Sequence, residues 1–518
     1  MAETYKWKRK PYAHQVAAVK FLLKTGYGGA LLCEPRTGKT KVCIDYAAIQ
    51  HLKGRVTRVV IFCPVGVIGV WVDQIPENCP VPFKILVWDR KSRQFAKLPK
   101  YGNSHIDFVI VNYDALSTPG EPRRNRRTGE VLREGNKILR SRRGGRFAIK
   151  DQLLKWQPDL IILDESHRIK SPSARKSTAL HSFNTVPYRI IATGTVVTKA
   201  KRVFDIYSQW KFLNPDRFFD RELGKPYTFG RFKSRYGKWK PRGNYSQWLG
   251  NQNEEELHSL IHKDAYSVVR ADCYDLPKST SQIIHVELDE SAEVYDQMAA
   301  DMVARIKTGE ITEASIKLVL YLRLSQITSG FTKTIPTPEY PKGRLVVVGS
   351  EKLRAIESRL EDLMEADEKV VIGAHYIADI LRLQKMLKKH KIPTFTIRGG
   401  MNTVEREDAR KGFHKVSGGA VFIGQPSASS EGIDLSCASI LQWYSLTNSW
   451  VHFRQFSDRI ALSEKPTFHE FFLVRGTIDE LKYKTINDDD ALGRMIIQSP
   501  ERLLRVHGRS TSYYQSGS

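Results

Sequence analysis

Residues 31–40 read L-L-C-E-P-R-T-G-K-T, and no other stretch narrows the possible folds as much. Ala30 to Cys33 are apolar and suit a buried strand. Pro35 and Gly38 mark a tight turn, and after Lys39 and Thr40 the residues Val42, Ile44, Tyr46 and Ala47 fit a helix. A strand, a tight loop and a helix N-terminus make a cradle for phosphate. The first backbone N–H groups of a helix lack intrahelical partners, and together with the helix dipole they favour an anion there. In such a cradle Lys39 would reach the β- and γ-phosphates and the Thr40 hydroxyl would sit on Mg²⁺. The full pattern has glycine where this chain has Cys33, so on this stretch alone a strand–helix turn with a surface lysine stays open.

A second stretch adds the chemistry that a phosphate cradle lacks. Residues 159–167 read D-L-I-I-L-D-E-S-H, an apolar strand that delivers two adjacent carboxylates at its C-terminal end. In α/β sheets that end is where ligands sit. Asp164 is placed to hold Mg²⁺, and Glu165 to orient and deprotonate an attacking water. Residues 189–195, R-I-I-A-T-G-T, form another strand that ends in small hydroxyl residues. Further apolar strands at 58–64, 84–87 and 108–111 alternate with helical stretches, one of which carries Trp71. That alternation predicts a parallel α/β sheet. Segments 369–373, 394–398, 421–424, 440–443 and 471–474, with helices at 352–363 and 378–389, predict a second α/β lobe without its own phosphate loop.

A chain of 518 residues is too long for one core, which fits two lobes. No apolar run approaches the ~20 residues of a membrane span, and residues 1–10 carry no apolar secretory segment. The 6 cysteines, at positions 33, 43, 63, 79, 273 and 437, form no C-x-x-C pair, which predicts reduced, mostly buried thiols in an intracellular protein. Lysine and arginine number 82 against 56 acidic residues, a formal charge of +26. Excess on that scale points to a polyanionic partner, most simply nucleic acid. Residues 120–146 are dominated by arginine, among them Arg123, Arg124, Arg126 and Arg127. They read as an exposed insertion, with a turn at Thr128-Gly129, that contacts phosphate, although a solvated loop has the same composition.

The ordered set of stretches 33–40, 164–167 (D-E-S-H) and 193–195 (T-G-T) resembles motifs I, II and III of superfamily-two helicases. The blocks F-D-I-Y-S-Q-W-K-F-L-N-P (204–215), S-V-V-R-A-D-C-Y-D-L-P (267–277) and Y-L-R-L-S-Q-I-T-S-G-F (321–331) are similar to the Swi/Snf-type branch. That branch includes chromatin remodellers, fork-remodelling translocases and phage proteins. The stretch S-A-S-S-E-G-I-D-L-S-C-A (427–438) resembles motif V and Q-F-S-D-R (455–459) motif VI. The likeness runs from about residue 8 to about residue 490.

The resemblance implies an α/β chain with two RecA-like parallel-sheet lobes and family-type helical insertions between them. Lobe 1 is expected at 1–210 with the basic insertion at 118–150, the insertions and linker at 211–345, lobe 2 at 346–495 and a polar tail at 496–518. It also implies ATP and Mg²⁺ as cofactors. ATP would be held by Gln15 at the adenine, by Pro35, Arg36, Thr37, Gly38, Lys39 and Thr40, and by Gly432, Asp434, Gln455 and Arg459 of the second lobe. Thr40 and Asp164 would hold Mg²⁺, Lys39 and Glu165 would serve hydrolysis, and Arg459 would act as an arginine finger. Thr193, Gly194 and Thr195 would couple nucleotide state to motion. DNA, duplex or branched rather than RNA, would meet Pro64, Ser429, Ser430 and the arginines of the insertion.

Two positions depart from the family pattern. Leu462 stands where motif VI has a second arginine, and Ser429-Ser430 where motif V has glycines. They keep a second reading open, a nucleic-acid-binding protein with a weakened or lost ATPase, and an RNA helicase is a third. The compact layout looks like that of a viral or mobile-element protein, which would place it in host cytoplasm beside the nucleoid.

Overall fold

The computed structural model describes residues 5–88, 104–117, 149–194, 203–243, 245–268, 279–307, 313–334, 343–429, 433–461 and 465–487. It also describes positions 125, 128, 130, 131, 133, 134, 137, 138, 272, 273 and 463. The chain divides after Asp275 into two units, 1–275 and 276–518. Each is α/β and built on an all-parallel sheet, as the alternation predicted.

The first sheet has seven strands, in the spatial order Ala265–Val268, Gly28–Cys33, Tyr188–Ala192, Leu160–Asp164, Arg58–Cys63, Ile106–Asn112 and Phe83–Val87. Strand Leu160–Asp164 is central, and next to it Arg58–Cys63 has Val59 beside Leu160 on one side and Phe108 on the other. Both faces of this sheet are covered, which is why its strands read as unbroken apolar runs. Strand alternation sends Leu31, Val59, Ile61, Phe108 and Ile162 to one face, against Val19, Val42, Tyr46 and Trp71 of the helices that follow or precede them. Ala30, Val60, Phe62, Val109, Ile161 and Leu163 go to the other face, against Leu153, Phe183, Trp210 and Phe232.

The second sheet has six parallel strands, in the order Ser279–Val286, Thr467–Val474, Ile440–Trp443, Lys369–Gly373, Ala420–Gly424 and Thr394–Ile397. Val370, Ile372 and Val421 pack on Ile356, Leu360, Ile380 and Leu383. Val371, Phe422, Leu441 and Trp443 pack on Phe413, Phe456 and Ile460.

Sheet membership cuts across the segment expected to be insertion and linker. Ala265–Val268 closes the first sheet beside Gly28–Cys33, and Ser279–Val286 runs along Thr467–Val474 in the second. The second of these is an edge strand exposed over most of its length, so it lacks the apolar signal by which the inner strands announced themselves. The insertion is not purely helical either. A two-stranded hairpin, Gly237–Arg242 with Tyr245–Asn251, stands between helices Phe229–Tyr236 and Glu254–His262. Within the arginine-rich insertion only a few positions are described. Thr128 lies in a turn closed by Asn125 N–H donating to Glu130 O at 2.8 Å, and Arg133–Glu134 pairs antiparallel with Lys137–Ile138. Arg123, Arg124, Arg126 and Arg127 lie outside the described residues. Cys33, Cys43, Cys63 and Cys79 are buried, whereas Cys437 is exposed. Among the described residues no helix is long and apolar enough to cross a membrane.

The block 321–331 does its work through a buried polar network. Helix Glu313–Thr328 is tied to the second unit by Thr328 Oγ1 donating to Asp479 Oδ1 at 2.9 Å and by Lys482 Nζ donating to Ser325 Oγ at 3.2 Å. Tyr444 OH donates to Ser329 O at 3.1 Å, and Lys352 Nζ pairs with Asp479. Beside them Asp379 is fully buried. Its Oδ2 accepts from Ser445 Oγ at 2.6 Å, while its Oδ1 has no hydrogen-bond partner among the described residues. Burial pushes its carboxyl up to about 7, with the Ser445 hydroxyl, Lys352 and Arg382 pulling the other way.

A carboxyl raised in the folded state contributes stability that is present below the unfolded value and lost as pH rises through the folded one. Asp379→Asn should therefore gain on the wild type as pH is raised from about 4 to 8, by an amount on the order of a few kcal/mol. Thermal unfolding followed across that pH range checks this. A wild-type–variant difference independent of pH would contradict it.

Candidate active site

In a parallel sheet every strand ends on the same edge. The loops after Cys33, Cys63, Asp164 and Ala192 therefore gather at one edge of the first unit. Cys33 is still within the strand, paired with Val268 and buried, so the position that commonly holds glycine is extended here and needs none. The turn itself is made by Arg36 and Gly38, at φ of 68° and 80°. Glycine is required at 38 for a second reason. A Cβ there would stand 2.1 Å from Gln15 Nε2.

Gln15, expected to read adenine, is buried against this loop. Its Nε2 donates to Thr37 O at 3.3 Å and its Oε1 accepts from Tyr12 N–H at 3.1 Å. His14 Nε2 lies 2.8 Å from the same Thr37 carbonyl. Thr37 Oγ1 donates to Glu34 O at 2.9 Å, closing the loop on itself. Lys39 Nζ donates to Cys33 O at 2.9 Å and to Glu34 O at 3.1 Å, so the ammonium lies folded over the loop. Thr40 follows it in the first turn of helix Lys39–Leu52, with its side chain partly accessible.

The two carboxylates occupy contrasting settings. Asp164 is buried, with Oδ2 accepting from Trp71 Nε1 at 2.9 Å and Oδ1 from Glu165 N–H at 3.0 Å. Burial, then the neighbouring Glu165, raises its carboxyl above the usual range, and the Trp71 indole opposes the rise. Glu165 has a left-handed backbone, φ 52° and ψ 52°, which costs a residue with a Cβ about 1 kcal/mol. That twist turns its side chain back toward the strand end of Ala192. Glu165 Oε2 lies 3.5 Å from Thr193 Oγ1 and 3.2 Å from His167 Nδ1, and His167 Nδ1 is 3.2 Å from Thr193 Oγ1. Gly194 then passes the phosphate loop closely, since a Cβ on it would meet Pro35 Cδ at 2.7 Å. Thus Glu165, His167, Thr193, Gly194 and Pro35 form one connected set.

An Mg²⁺–phosphate group fits this donor set. Thr40 supplies a hydroxyl and Asp164 a carboxylate, both hard oxygen donors. Burial holds the Asp164 carboxyl above its usual range even though the Lys39 charge opposes the rise, and a bound cation would offset that desolvation further. Sequence reasoning missed the groups that hold the carboxylates in place. Trp71 fixes Asp164, and Tyr113 OH donates to the Asp164 carbonyl at 2.8 Å. Ser166 Oγ donates to Gln209 Oε1 at 2.7 Å, tying the carboxylate loop to helix Asp205–Leu213. The available signal was Trp71 itself, because a buried indole N–H needs an acceptor.

The second-unit residues sit within their own fold. Arg459 is buried, its Nε donating to Gln455 O at 2.9 Å and its Nη1 to Ile433 O at 3.1 Å. Gln455 is also buried. Asp434 Oδ1 accepts from Ser436 N–H at 3.0 Å, and its carbonyl lies 2.8 Å from His414 Nε2. Gly432, Thr195, Ser430 and Leu462 lie outside the described residues. Two residues expected to meet DNA lie inside the fold. Ser429 is fully buried with its hydroxyl on Gln425 O at 2.6 Å, and Pro64 is buried, so neither side chain is available to a phosphate. Pro64 instead starts the short 3₁₀ turn Val65–Val67, which leaves Val65 exposed.

Comparison with known proteins gives the family of the chain. The SNF2-related domain matches residues 14–329, and the helicase conserved C-terminal domain matches residues 351–461. The chain belongs to the SNF2-related family. It is 22% identical to a probable chromatin-remodeling complex ATPase chain of Oryza sativa subsp. japonica over 509 residues, 95% of this chain and 41% of that protein. It is 22% identical to the ISWI chromatin-remodeling complex ATPase CHR11 of Arabidopsis thaliana, over 94% of this chain and 42% of that protein. The chain thus spans about two fifths of the length of these curated relatives. Among solved structures it is similar to the Sulfolobus solfataricus SWI2/SNF2 ATPase core in complex with dsDNA, at 20% identity, 97% coverage of this chain and 98% of that one, and a TM-score of 0.41.

The Gln15–Gly38 approach is directly testable. Gly38→Ala should destabilise the first unit by about 1–2 kcal/mol, from left-handed strain and displacement of Gln15. Adding Gln15→Ala should recover part of that loss by removing the clash. Strictly additive losses in a double-mutant cycle would show that the two do not touch.

Proposed function

We propose that the chain is an ATP-dependent DNA translocase. ATP hydrolysis drives movement on duplex or branched DNA, remodelling DNA structures or displacing bound protein. The observation that carries the reading is the connected set at one sheet edge, with the phosphate loop, the Asp164-Glu165 pair and Thr193-Gly194 in contact within the first unit. Membership of the SNF2-related family, relatives named as chromatin-remodeling ATPases and the +26 charge support it.

In this reading Lys39 leaves the loop carbonyls and moves to phosphate oxygens. Backbone N–H groups of residues 35–40 cradle the same phosphates. Thr40 and Asp164 hold Mg²⁺, which when bound supplies positive charge to the phosphate oxygens. Glu165, held by His167 and Thr193, orients the attacking water and takes its proton. Displacement of Thr193-Gly194 by this exchange would pass to Pro35 and to the strand edge, which gives Thr193, Gly194 and Thr195 their coupling role. Gln15 sets the loop through Thr37 and reads the adenine edge with its remaining amide proton. By resemblance Gly432, Asp434 and Gln455 complete the nucleotide site, and Arg459 gives up its carbonyl contacts to act as the arginine finger. Tracking the DNA backbone needs no base readout, so sequence specificity is not expected. The working compartment would be inside the cell.

ATP hydrolysis measured without nucleic acid and with single-stranded DNA, duplex DNA, forked DNA and RNA tests this. Duplex or forked DNA should stimulate most, and Glu165→Gln should lower the stimulated rate by on the order of 10²-fold or more. Equal hydrolysis with and without DNA would overturn the translocase reading, and stronger stimulation by RNA would move it to an RNA helicase.

A further inference from the structure

The hairpin Gly237–Arg242/Tyr245–Asn251 belongs to no motif of the proposed motor, yet it is built as a rigid projection with a uniform charge. Residues 225–253 contain seven basic residues and no acidic one. The cations on the neighbouring helix Phe229–Tyr236 are already engaged. Arg231 pairs with Asp220 at 3.1 Å, Arg235 pairs with Glu256, and Lys233 lies over the rings of Phe229 and Trp239 at 5.1 and 5.7 Å. Lys238 and Lys240 differ. Both are exposed and neither forms an ion pair with a described residue. Arg242 ends the same strand, its backbone paired with that of Tyr245, and Gly243 after it has φ 61°.

The other face explains why this projection holds its shape. Trp239 and Trp248 are directly paired, and both rings meet the buried Phe204, at 5.6 Å stacked and 6.2 Å edge-on. Trp239 Nε1 donates to Lys233 O at 2.9 Å. A register shift at Lys238/Trp239 leaves Leu249 as the extra residue, and Leu249 is exposed. At the root, Gln252 N–H donates to Tyr236 O at 3.1 Å and Asn253 Nδ2 to Arg235 O at 2.8 Å. Strand alternation thus turns the tryptophans toward Phe204, although Trp239 stays 36% exposed, and the lysines to the opposite face in solvent. The lysines repeat every second residue, about 6.6 Å apart, close to the spacing of phosphates along one DNA strand.

We propose that this hairpin is a DNA-backbone grip, in which Lys238 and Lys240 bind neighbouring phosphates of the duplex on which the motor moves. The assignment rests on the DNA-translocase reading above. It adds a contact that no motif supplies, and one that acts on hold rather than on hydrolysis.

The test is equilibrium binding of the full chain to a duplex oligonucleotide across a salt series, with the double variant Lys238→Ala/Lys240→Ala. The variant should bind about tenfold or more weakly at ~0.1 M salt, and its slope of log affinity against log salt should fall by about 2. ATPase without DNA and the unfolding temperature should stay at wild-type values. The charge-keeping variant Lys238→Arg/Lys240→Arg should retain the slope. As a charge control, Lys385→Ala/Lys388→Ala removes two lysines of the second unit. An unchanged slope in the hairpin variant of a wild type that is stimulated by DNA would overturn the grip and leave the motor reading intact. So would an equal drop in the control. A wild type that neither binds DNA nor responds to it would overturn both.

Discussion

A parallel strand delivers the loop that follows it to the same edge of the sheet as its neighbours' loops. Seven strands in one direction put Cys33, Cys63, Asp164 and Ala192 at a common edge. Everything assigned to the candidate site depends on that register. Val59 beside Leu160 and Leu163 beside Ile191 set the level at which Asp164 emerges. A slip of one residue would move every side chain of a strand to the opposite packed face and carry the carboxylate away from Thr193. Apolar side chains on both faces make such a slip costly, and so the buried strands fix the position of polar loops they never touch.

The polar groups are held by contacts that favour a resting arrangement. Lys39 lies on the loop carbonyls, Gln15 locks Gly38 and Thr37, and Glu165 is turned by a strained backbone toward Thr193 and His167. The second unit uses polar groups differently. Its buried Lys352–Asp479 pair and the Ser325 and Thr328 hydroxyls staple helix Glu313–Thr328 to the sheet. Removing one partner there leaves a buried charge uncompensated, so the network specifies where the helix docks.

The inner strands were legible in the sequence because burial on both faces demands unbroken runs such as R-V-V-I-F-C, and the phosphate loop because only glycine suits position 38. Of the edge strands, Phe83–Val87 and Thr394–Ile397 were legible too, but Ala265–Val268 and Ser279–Val286 were not. Ser279–Val286 carries alternating polar residues and is exposed over most of its length, and its partner lies almost two hundred residues away in the chain. The supporting shell of the site was hidden for a similar reason. Trp71 donating to Asp164 and Gln209 accepting from Ser166 join positions far apart in sequence, and periodicity carries no record of them. Ser429 and Pro64 show the opposite error. A motif position was read as a surface, and the side chains are inside.

The central claim is that the loop from Pro35 to Thr40 holds the phosphates of a nucleotide. Equilibrium binding of a fluorescent ATP analogue with Mg²⁺ to the full chain, wild type against Lys39→Ala, tests it most directly, because it needs neither DNA nor turnover. The account predicts saturable binding to the wild type and a loss of on the order of tenfold or more in the variant, the scale of a charge-assisted contact to phosphate. Equal affinity in the two proteins would contradict it.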